Sequence, residues 1–181
     1  MFKNKKHIIL TLIFTALALA INAFIIVHAC LDAEASSQSS NNVAEVVEYV
    51  VETVSPGTIT EANHDAFVNF IRKAFGHFGL FLISGVLTPI AINYWTLTYR
   101  KYRDQILIGI SVGFGLFLAM LTEIIQTRVP GRSGEFLDVI IDLSGFVLGF
   151  VIVFIIIFSI NRKKKQEEFE LEKKSLEEDI D

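Results

Sequence analysis

The sequence predicts an all-α integral membrane protein, folded as a four-helix bundle with an outer amphipathic helix. Hydrophobic residues make up 52% of the 181 residues, which exceeds the share usual in soluble domains. Four apolar runs are each long enough to cross a bilayer, which takes about 20 residues. The charged residues lie in blocks between these runs and are not spread evenly along the chain.

The four apolar runs cover residues 8–29, 75–94, 105–126 and 137–160. Basic residues cluster beside them at three places: Lys3, Lys5 and Lys6; Arg100, Lys101 and Arg103; and Arg162, Lys163, Lys164 and Lys165. The connection 31–71 instead carries seven acidic residues and no lysine or arginine. The positive-inside rule therefore predicts a multi-pass protein of the cell membrane with both termini in the cytoplasm.

The first run has an alternative interpretation as a cleaved signal peptide. Its apolar stretch exceeds the roughly 7–15 residues of a typical signal core. The segment Val27-His28-Ala29-Cys30 resembles a lipoprotein cleavage box only loosely, since His28 stands where a small residue is usual. A retained transmembrane helix is the favoured interpretation. Cys30 is the only cysteine, so no internal disulfide or cysteine-based metal site can form.

The outer connection begins with a predicted polar linker at residues 36–42, which has no apolar face. Valines then recur at helical spacing from Val43 to Val54, and Ser55-Pro56-Gly57 ends the pattern. Because valine is a mediocre helix former, this amphipathic helix needs a surface to lie on. We expect it to cap the outer ends of the bundle, and binding a partner is the alternative.

Two further patterns complete the chain. Thr58-Ile59-Thr60-Glu61 resembles a capping box that starts a helix leading into the second run. Gly109 and Gly113, and likewise Gly145 and Gly149, offer small-residue faces for packing within the bundle. The predicted organisation has four parts: an N-terminal transmembrane helix (1–29), an extracellular linker and amphipathic helix (30–57), a domain of three transmembrane helices (58–160) and a cytoplasmic, charged, partly helical tail (161–181).

Polar residues collect at the outer ends of the second, third and fourth runs. They form three pairs whose spacing of three or four residues places each pair on one helix face: Lys73 and His77, Glu123 and Gln126, and Asp138 and Asp142. Pro130-Gly131 predicts a tight turn that returns Arg132 over these pairs, and Arg128 lies in the same connection. Ionisable groups at the edge of a membrane are costly to keep, so they need partners or a function.

This constellation resembles the VanZ-like family of membrane proteins. The matching elements, in chain order, are basic-x-x-x-His-Phe at Lys73 to Phe78, Glu-x-x-Gln at Glu123, the turn Pro130-Gly131-Arg132, and Asp-x-x-x-Asn/Asp-x-x-Gly-x-x-x-Gly from Asp138 to Gly149. Many relatives have an acidic residue and a histidine where this chain has Thr122 and Ile125. That departure weakens a mechanism that needs a second histidine or a carboxylate pair in the third run.

The resemblance also implies a role. The family's namesake gives low-level resistance to the glycopeptide teicoplanin, so a function in cell-envelope physiology or in tolerance of surface-acting antibiotics is expected. The implied partner is a membrane lipid or a lipid-linked envelope precursor, and no nucleic acid is expected. The ligand-binding candidates are Lys73, His77, Glu123, Gln126, Arg128, Arg132, Asp138 and Asp142.

Two alternatives to binding remain open. In one, an integral-membrane enzyme modifies an envelope lipid by acid–base chemistry, with His77, Glu123, Asp138 and Asp142 as catalytic candidates. In the other, the charges only hold the helices together. We favour binding, because no serine- or cysteine-centred motif indicates a covalent nucleophile. Three carboxylates and a histidine have the chemistry to hold a metal, but the sequence does not show that they converge, so we predict neither a metal nor a cofactor.

Overall fold

The computed structural model describes residues 5–96 and 103–178. Its helices are α1 (Lys5–Ala29), α2 (Ala33–Val54), α3 (His64–Ile71), a π-helical segment (Arg72–Gly79), α4 (Leu80–Thr96), α5 (Arg103–Gln126) and α6 (Phe136–Glu178). Neither described range contains a strand. The predicted all-α fold is thus confirmed.

Four helical stretches are long and apolar enough to cross a membrane: Lys5–Ala29, His64–Thr96, Asp104–Gln126 and Phe136–Leu171. They match the four predicted runs, so the chain is a multi-pass α-helical membrane protein. The second stretch is longer than predicted because α3, the π-helical segment and α4 follow one another without a break. The fourth is longer because α6 continues through the basic residues of the tail. Of the basic residues used to predict orientation, Lys3, Arg100 and Lys101 lie outside the described residues.

Glycines allow α4 and its preceding π-helical segment to cross α6 at close range. A Cβ atom on Gly145 would lie 2.3 Å from the main-chain oxygen of Phe78, and one on Gly149 would lie 2.3 Å from that of Leu82. Only glycine permits this approach of two backbones, as is common where helices pack in membranes. The predicted packing role of Gly145 and Gly149 is confirmed.

The corresponding prediction for Gly109 and Gly113 is wrong. Apart from the backbone of α5 itself, no described atom lies within 4 Å of a Cβ placed at either position. Gly115 faces the core instead, since a Cβ there would lie 2.4 Å from the ring of Phe146. On a helix that is apolar all round, the spacing of two glycines does not reveal which way they face.

Polar contacts join α1 to α4 inside the bundle. Asn22 Nδ2 donates a hydrogen bond to Thr88 Oγ1 (3.1 Å), and Ser84 Oγ donates one to Asn22 Oδ1 (2.6 Å). All three side chains are buried. Hydrogen bonds between membrane helices contribute on average about 0.6 kcal/mol, so they add specificity to the apolar packing of α1 against α4.

The prediction of a polar linker at residues 36–42 is wrong, because α2 already begins at Ala33. The carboxylate of Asp32 caps the helix by accepting a hydrogen bond from Ala35 N (2.8 Å), a contact that stabilises a helix by about 1 kcal/mol. Ser40 Oγ donates to the main-chain oxygen of Ser36, and Ser36 itself is buried. The face that packs consists of small and polar residues, so hydrophobic periodicity does not detect it.

The outer amphipathic helix is present as the second half of α2. Ala44 is buried, and α2 lies against α3. Part of the valine face stays exposed, since Val46 and Val54 are 65% and 81% exposed. Its predicted end is confirmed at Ser55-Pro56-Gly57, where Gly57 has a φ of +79°, a conformation that favours glycine.

The predicted capping box does not start α3. The helix begins at His64, and Thr58 Oγ1 instead donates to the main-chain oxygen of Ser55. Asn63 organises the loop, because its Oδ1 accepts from Thr60 N (2.7 Å) and its Nδ2 donates to the main-chain oxygen of Thr58 (3.0 Å). Asparagine competes well for such local backbone bonds, which a Ser/Thr-based motif search overlooks.

Candidate functional site

The π-helical segment sets the register of three site residues. Its i→i+5 hydrogen bonds enclose about one residue more per turn than those of an α-helix, so residues four and five apart both lie near one face. Arg72 and Lys73 therefore both flank His77, which is buried at 7% exposure. In an α-helix only Lys73 would share that face. π-Helical turns are rare and are frequent at functional sites.

The first two turns of α6 present Asp138 and Asp142 to this segment. Lys73 Nζ forms ion pairs with Asp138 and, at 3.1 Å, with Glu135. His77 lies between the two aspartates, with Nδ1 3.1 Å from Asp142 Oδ1 and Nε2 3.6 Å from Asp138 Oδ2. Both aspartates are buried, so these contacts form away from bulk water.

The end of α5 is tied to the start of α6 by Glu123. Its Oε2 accepts a hydrogen bond from the main-chain N–H of Glu135 (2.9 Å). The chain passes close enough because residue 134 is a glycine, whose Cβ would lie 2.7 Å from the main-chain oxygen of Glu123. This contact fixes one carboxylate oxygen and leaves the other, Oε1, buried and without a hydrogen-bond partner among the described residues.

The predicted turn at Pro130-Gly131 is confirmed, and Gly131 has a φ of +73°. The turn returns Arg132 to the site, where its side chain donates to Gln126 Oε1 (2.9 Å) and, at 3.4 Å each, to two main-chain oxygens near the end of α1. Burial, and after it the nearby charge of Arg72, lowers the pKa of Arg132 from its ordinary value. An arginine still remains a cation, so two positive charges adjoin at this point.

Two adjoining spaces border these residues. A cavity of about 150 Å³, called the polar cavity here, has the following polar residues in its wall: Ser36, Ser37, Arg72, His77, Gln126, Arg132, Ser133, Glu135 and Asp138. An apolar groove of about 300 Å³ lies between α5 and α6, and its apolar wall contains Leu116, Met120, Ile124, Phe136 and Val139. Glu135 borders both spaces, so a polar compartment and an apolar one meet at this residue.

The structure brings together seven of the eight predicted ligand-binding residues, called the polar cluster here: Lys73, His77, Glu123, Gln126, Arg132, Asp138 and Asp142. Arg128 is the exception, because it is exposed and borders neither the polar cavity nor the apolar groove. It lies two residues after the end of α5 and precedes the turn that returns the chain to the site.

Sequence reasoning missed three residues of the site. Arg72 is not among the predicted ligand-binding residues, although its positive charge on the predicted outer side is a hint of function. Glu135 lies outside the spaced pairs, and no pattern connects it with Lys73. Ser36 was assigned to a linker, and α2 instead brings it to the wall of the polar cavity.

Three side chains with metal-binding chemistry converge within the polar cluster. One potential ligand atom from each of His77, Glu123 and Asp142 lies within 4.8 Å of the others. All three residues are buried, and Glu123 Oε1 and Asp142 Oδ2 have no hydrogen-bond partner in the described part of the chain. The sequence did not show this convergence.

The fold and the polar cluster together define a class of protein, a four-span α-helical membrane protein with a buried, charged site at one end of its bundle. Comparison with family models identifies the family within this class, because the VanZ/LLP1 model matches residues 12–158. The match includes the polar cluster and most of the four membrane-spanning stretches. The chain therefore belongs to the VanZ/LLP1 family, as its motifs predicted. No curated protein and no solved structure was found to match it.

Proposed function

We propose that the protein binds the anionic head group of an envelope lipid or lipid-linked envelope precursor in the polar cavity, and thereby contributes to tolerance of glycopeptides or of other surface stress. The observation that carries the proposal is the pair of arginines, Arg72 and Arg132. Both border the polar cavity, whereas Asp138, Asp142 and Glu135 form ion pairs with Lys73 and His77.

Neither guanidinium group forms an ion pair with a carboxylate of the described residues. Arg72 Nε is buried and makes no hydrogen bond to them. The hydrogen bonds of Arg132 within the described ranges go to neutral oxygens, those of an amide and of two main-chain carbonyls. Two adjacent cations repel each other, and an anion between them would remove that repulsion. Phosphate and carboxylate oxygens fit the planar guanidinium fork, and the N-terminal end of α6 adds a favourable dipole.

The apolar groove supports an amphiphilic ligand over a small soluble anion. It meets the polar cavity at Glu135, so a head group and a hydrocarbon chain of one molecule would lie in neighbouring compartments. Phe136 and Leu137, at the start of α6, are both more than half exposed. Apolar side chains beside a charged site are expected where the acyl or prenyl chain of a lipid continues into the bilayer.

A binding measurement tests the proposal. Full-length protein in zwitterionic nanodiscs is titrated with a polyprenyl phosphate, with phosphatidylglycerol and with inorganic pyrophosphate. Arg72→Gln and Arg132→Gln are expected to weaken binding of the anionic lipids at least tenfold, or about 1.4 kcal/mol. Arg128→Gln is the matched control, since it removes the same charge outside the cavity, and it should bind normally.

Each outcome of this titration discriminates. If Arg128→Gln and Arg72→Gln lose equal affinity for the anionic lipids, the binding reflects the overall positive charge of this surface and not a site in the polar cavity. Tighter binding of pyrophosphate than of the lipids would assign the cavity to a soluble anion. A wild-type protein that shows no preference for anionic over zwitterionic lipid would leave the polar cluster as a device that holds the helices together.

Tolerance is tested separately in cells. Strains that express the wild-type protein, Arg132→Ala or Arg128→Ala at matched membrane abundance are compared for susceptibility to teicoplanin and to other surface-acting agents. We expect Arg132→Ala to lose tolerance while it remains in the membrane. If Arg132→Ala instead disappears from the membrane, the contacts of Arg132 to Gln126 and to the end of α1 are needed for folding. The tolerance of a strain that expresses Arg72→Gln then tests the proposal in its place.

The position of His77 favours a second candidate, an integral-membrane enzyme that acts on the bound lipid. His77 lies 3.1 Å from Asp142 and borders the polar cavity, so a histidine paired with an aspartate lies at the wall of the space proposed for the head group. That is the arrangement of a general base. Mass spectrometry of lipid incubated with wild-type protein or with His77→Asn decides between the two: turnover only by the wild type favours catalysis, and unchanged lipid favours binding alone.

A further inference from the structure

We propose that His77, Glu123 and Asp142 form a binding site for one divalent transition-metal ion, where the π-helical segment, α5 and α6 meet. We call these three residues the triad. The inference goes beyond the proposed lipid binding, because it requires neither a lipid nor the two arginines.

The geometry of the triad suits a metal ion. The candidate ligand atoms lie within 4.8 Å of one another. Metal–oxygen and metal–nitrogen bonds to zinc measure about 2.0–2.2 Å, so neighbouring ligand atoms of a tetrahedral site lie roughly 3.4 Å apart. Side-chain movements of about 1 Å would therefore close the triad around an ion. Three protein ligands leave further coordination positions for water or for an oxygen of a ligand in the polar cavity.

The distribution of charge around the triad also favours binding of a cation. Lys73 is engaged by Asp138 and Glu135, and the arginines bond to neutral oxygens or border the cavity. Glu123 and Asp142 thus bring two carboxylates into a buried space. Among the described residues, His77 is the one basic group within ion-pair distance of Asp142, and none is within that distance of Glu123. Buried carboxylates without a counter-charge are strongly disfavoured. A divalent cation would neutralise both.

Each of the two carboxylates has one oxygen that is free to bind a metal ion. Glu123 holds the main-chain N–H of Glu135 with Oε2, and Asp142 approaches His77 with Oδ1. The remaining atoms, Glu123 Oε1 and Asp142 Oδ2, are buried and unbonded within the described ranges. Glu123 is therefore oriented through one oxygen while the other is available to a ligand. Metal binding at His77 Nδ1 would replace the present contact of that nitrogen with Asp142 Oδ1.

The surroundings of His77 resemble the support that metal-binding histidines commonly have. With Nδ1 on the side of Asp142, Nε2 lies 3.6 Å from Asp138 Oδ2. A carboxylate beside the second ring nitrogen fixes the orientation and tautomer of a metal-bound imidazole. Asp138 is itself held by Lys73, so the supporting carboxylate has a fixed position.

The donor set selects the class of ion. One imidazole nitrogen with two carboxylate oxygens suits zinc, manganese, iron or cobalt, whereas calcium and magnesium prefer sites made of oxygen alone. The chain offers no cysteine to this site, since Cys30 is its single cysteine and lies exposed near the end of α1. A thiolate-selective ion such as Cu(I) is therefore not expected.

The test measures metal binding in the absence of any anionic lipid. Full-length protein in zwitterionic nanodiscs is stripped with a chelator and titrated separately with Zn²⁺, Mn²⁺ and Co²⁺. We expect one ion per chain for at least one of these metals, and a rise in melting temperature on binding. Glu123→Gln should weaken binding at least tenfold and abolish that rise. Glu135→Gln is the matched control, because it makes the same change on the neighbouring glutamate, whose carboxylate faces Lys73.

The proposal is overturned if the wild-type protein binds none of the three ions stoichiometrically, or if Glu135→Gln loses as much affinity as Glu123→Gln. Should Glu123→Gln not fold, Asp142→Asn replaces it. The Co²⁺ spectrum of the wild-type protein then gives an answer by itself, since coordination by the triad predicts visible absorption stronger than that of hydrated Co²⁺. Arg72→Gln should bind metal normally, so failure of one proposal leaves the other standing.

Discussion

At the scale of single residues, the charged side chains of the polar cluster differ in how their charges are compensated. Lys73 has two carboxylate partners, Asp138 and Glu135. Among the described residues, Arg132 donates hydrogen bonds to neutral oxygens and forms no ion pair. Glu123 and Asp142 each keep one oxygen without a hydrogen bond to the described residues. We therefore expect substitutions at these positions to separate stability from ligand binding.

Lys73→Ala is expected to reduce stability, because it leaves the buried carboxylate of Asp138 without its cation. Breaking a buried ion pair from one side costs about 3–5 kcal/mol, and the lower end applies because the Lys73 side chain is 19% exposed. Thermal unfolding in detergent measures the effect. Arg128→Ala removes an exposed charge, and its melting temperature should equal that of the wild type. If adding Asp138→Asn to Lys73→Ala restores no stability, the ion pair is not the source of the loss.

Most residues of the site were predictable from α-helical spacing, and Arg132 was predictable from the turn at Pro130-Gly131. His77, Glu123 and Asp138 each have a partner three or four residues away, and the structure places all three pairs in the polar cluster. Arg72 lies five residues before His77, a spacing that becomes a shared face only in a π-helical segment. No residue pattern in this chain predicts that segment. The charge of Arg72 on the predicted outer side indicated a function, but not its place beside His77.

At the scale of helices, two glycine pairs of identical spacing have opposite surroundings. Gly145 and Gly149 meet the backbone of the opposite helix, whereas Gly109 and Gly113 meet no neighbouring atom of the described chain within 4 Å. The same principle explains α2: residues 36–42 are polar, yet they form a helix because Asp32 caps it and the bundle accepts its small side chains. Contacts with neighbouring helices decide which glycines pack and whether a polar segment is helical. The sequence of one helix does not reveal these contacts.

Gly145→Ala and Gly149→Ala are expected to destabilise the protein, since each new methyl group would overlap a main-chain oxygen and force the helices apart. Overpacking of this kind costs about 1–3 kcal/mol. Gly109→Ala and Gly113→Ala are matched controls, and they should be neutral or slightly stabilising because alanine is the better helix former. Melting temperatures of the four purified variants measure this. A ranking in which the α5 variants lose more would contradict the described crossing.

At the scale of the whole molecule, the four apolar runs were readable from sequence because a bilayer demands a fixed length of apolar helix. The ends of the helices were less readable. α6 continues past the apolar run into residues rich in Lys and Glu, which are good helix formers in their own right. The orientation of the bundle stays a prediction that rests on the basic clusters.

Orientation can be tested with the natural cysteine. Cys30 is exposed at the same end of the bundle as the polar cluster, so a membrane-impermeant maleimide should label it in intact cells. In a Cys30→Ser background, Ser133→Cys should likewise be labelled from outside and Lys101→Cys should not. Labelling of Lys101→Cys in sealed cells would reverse the predicted topology.

The length of α6 has a mechanical consequence. Its 43 residues span about 65 Å at 1.5 Å per residue, roughly twice the hydrocarbon thickness of a bilayer. Asp142 lies near one end of this single rod, and about 54 Å of helix follows it. A tilt of about 5° about Asp142 would therefore move the far end by roughly 5 Å if the helix stays straight. A ligand that tilts α6 at the polar cluster would therefore displace the opposite end of the helix farther than it displaces the first turn.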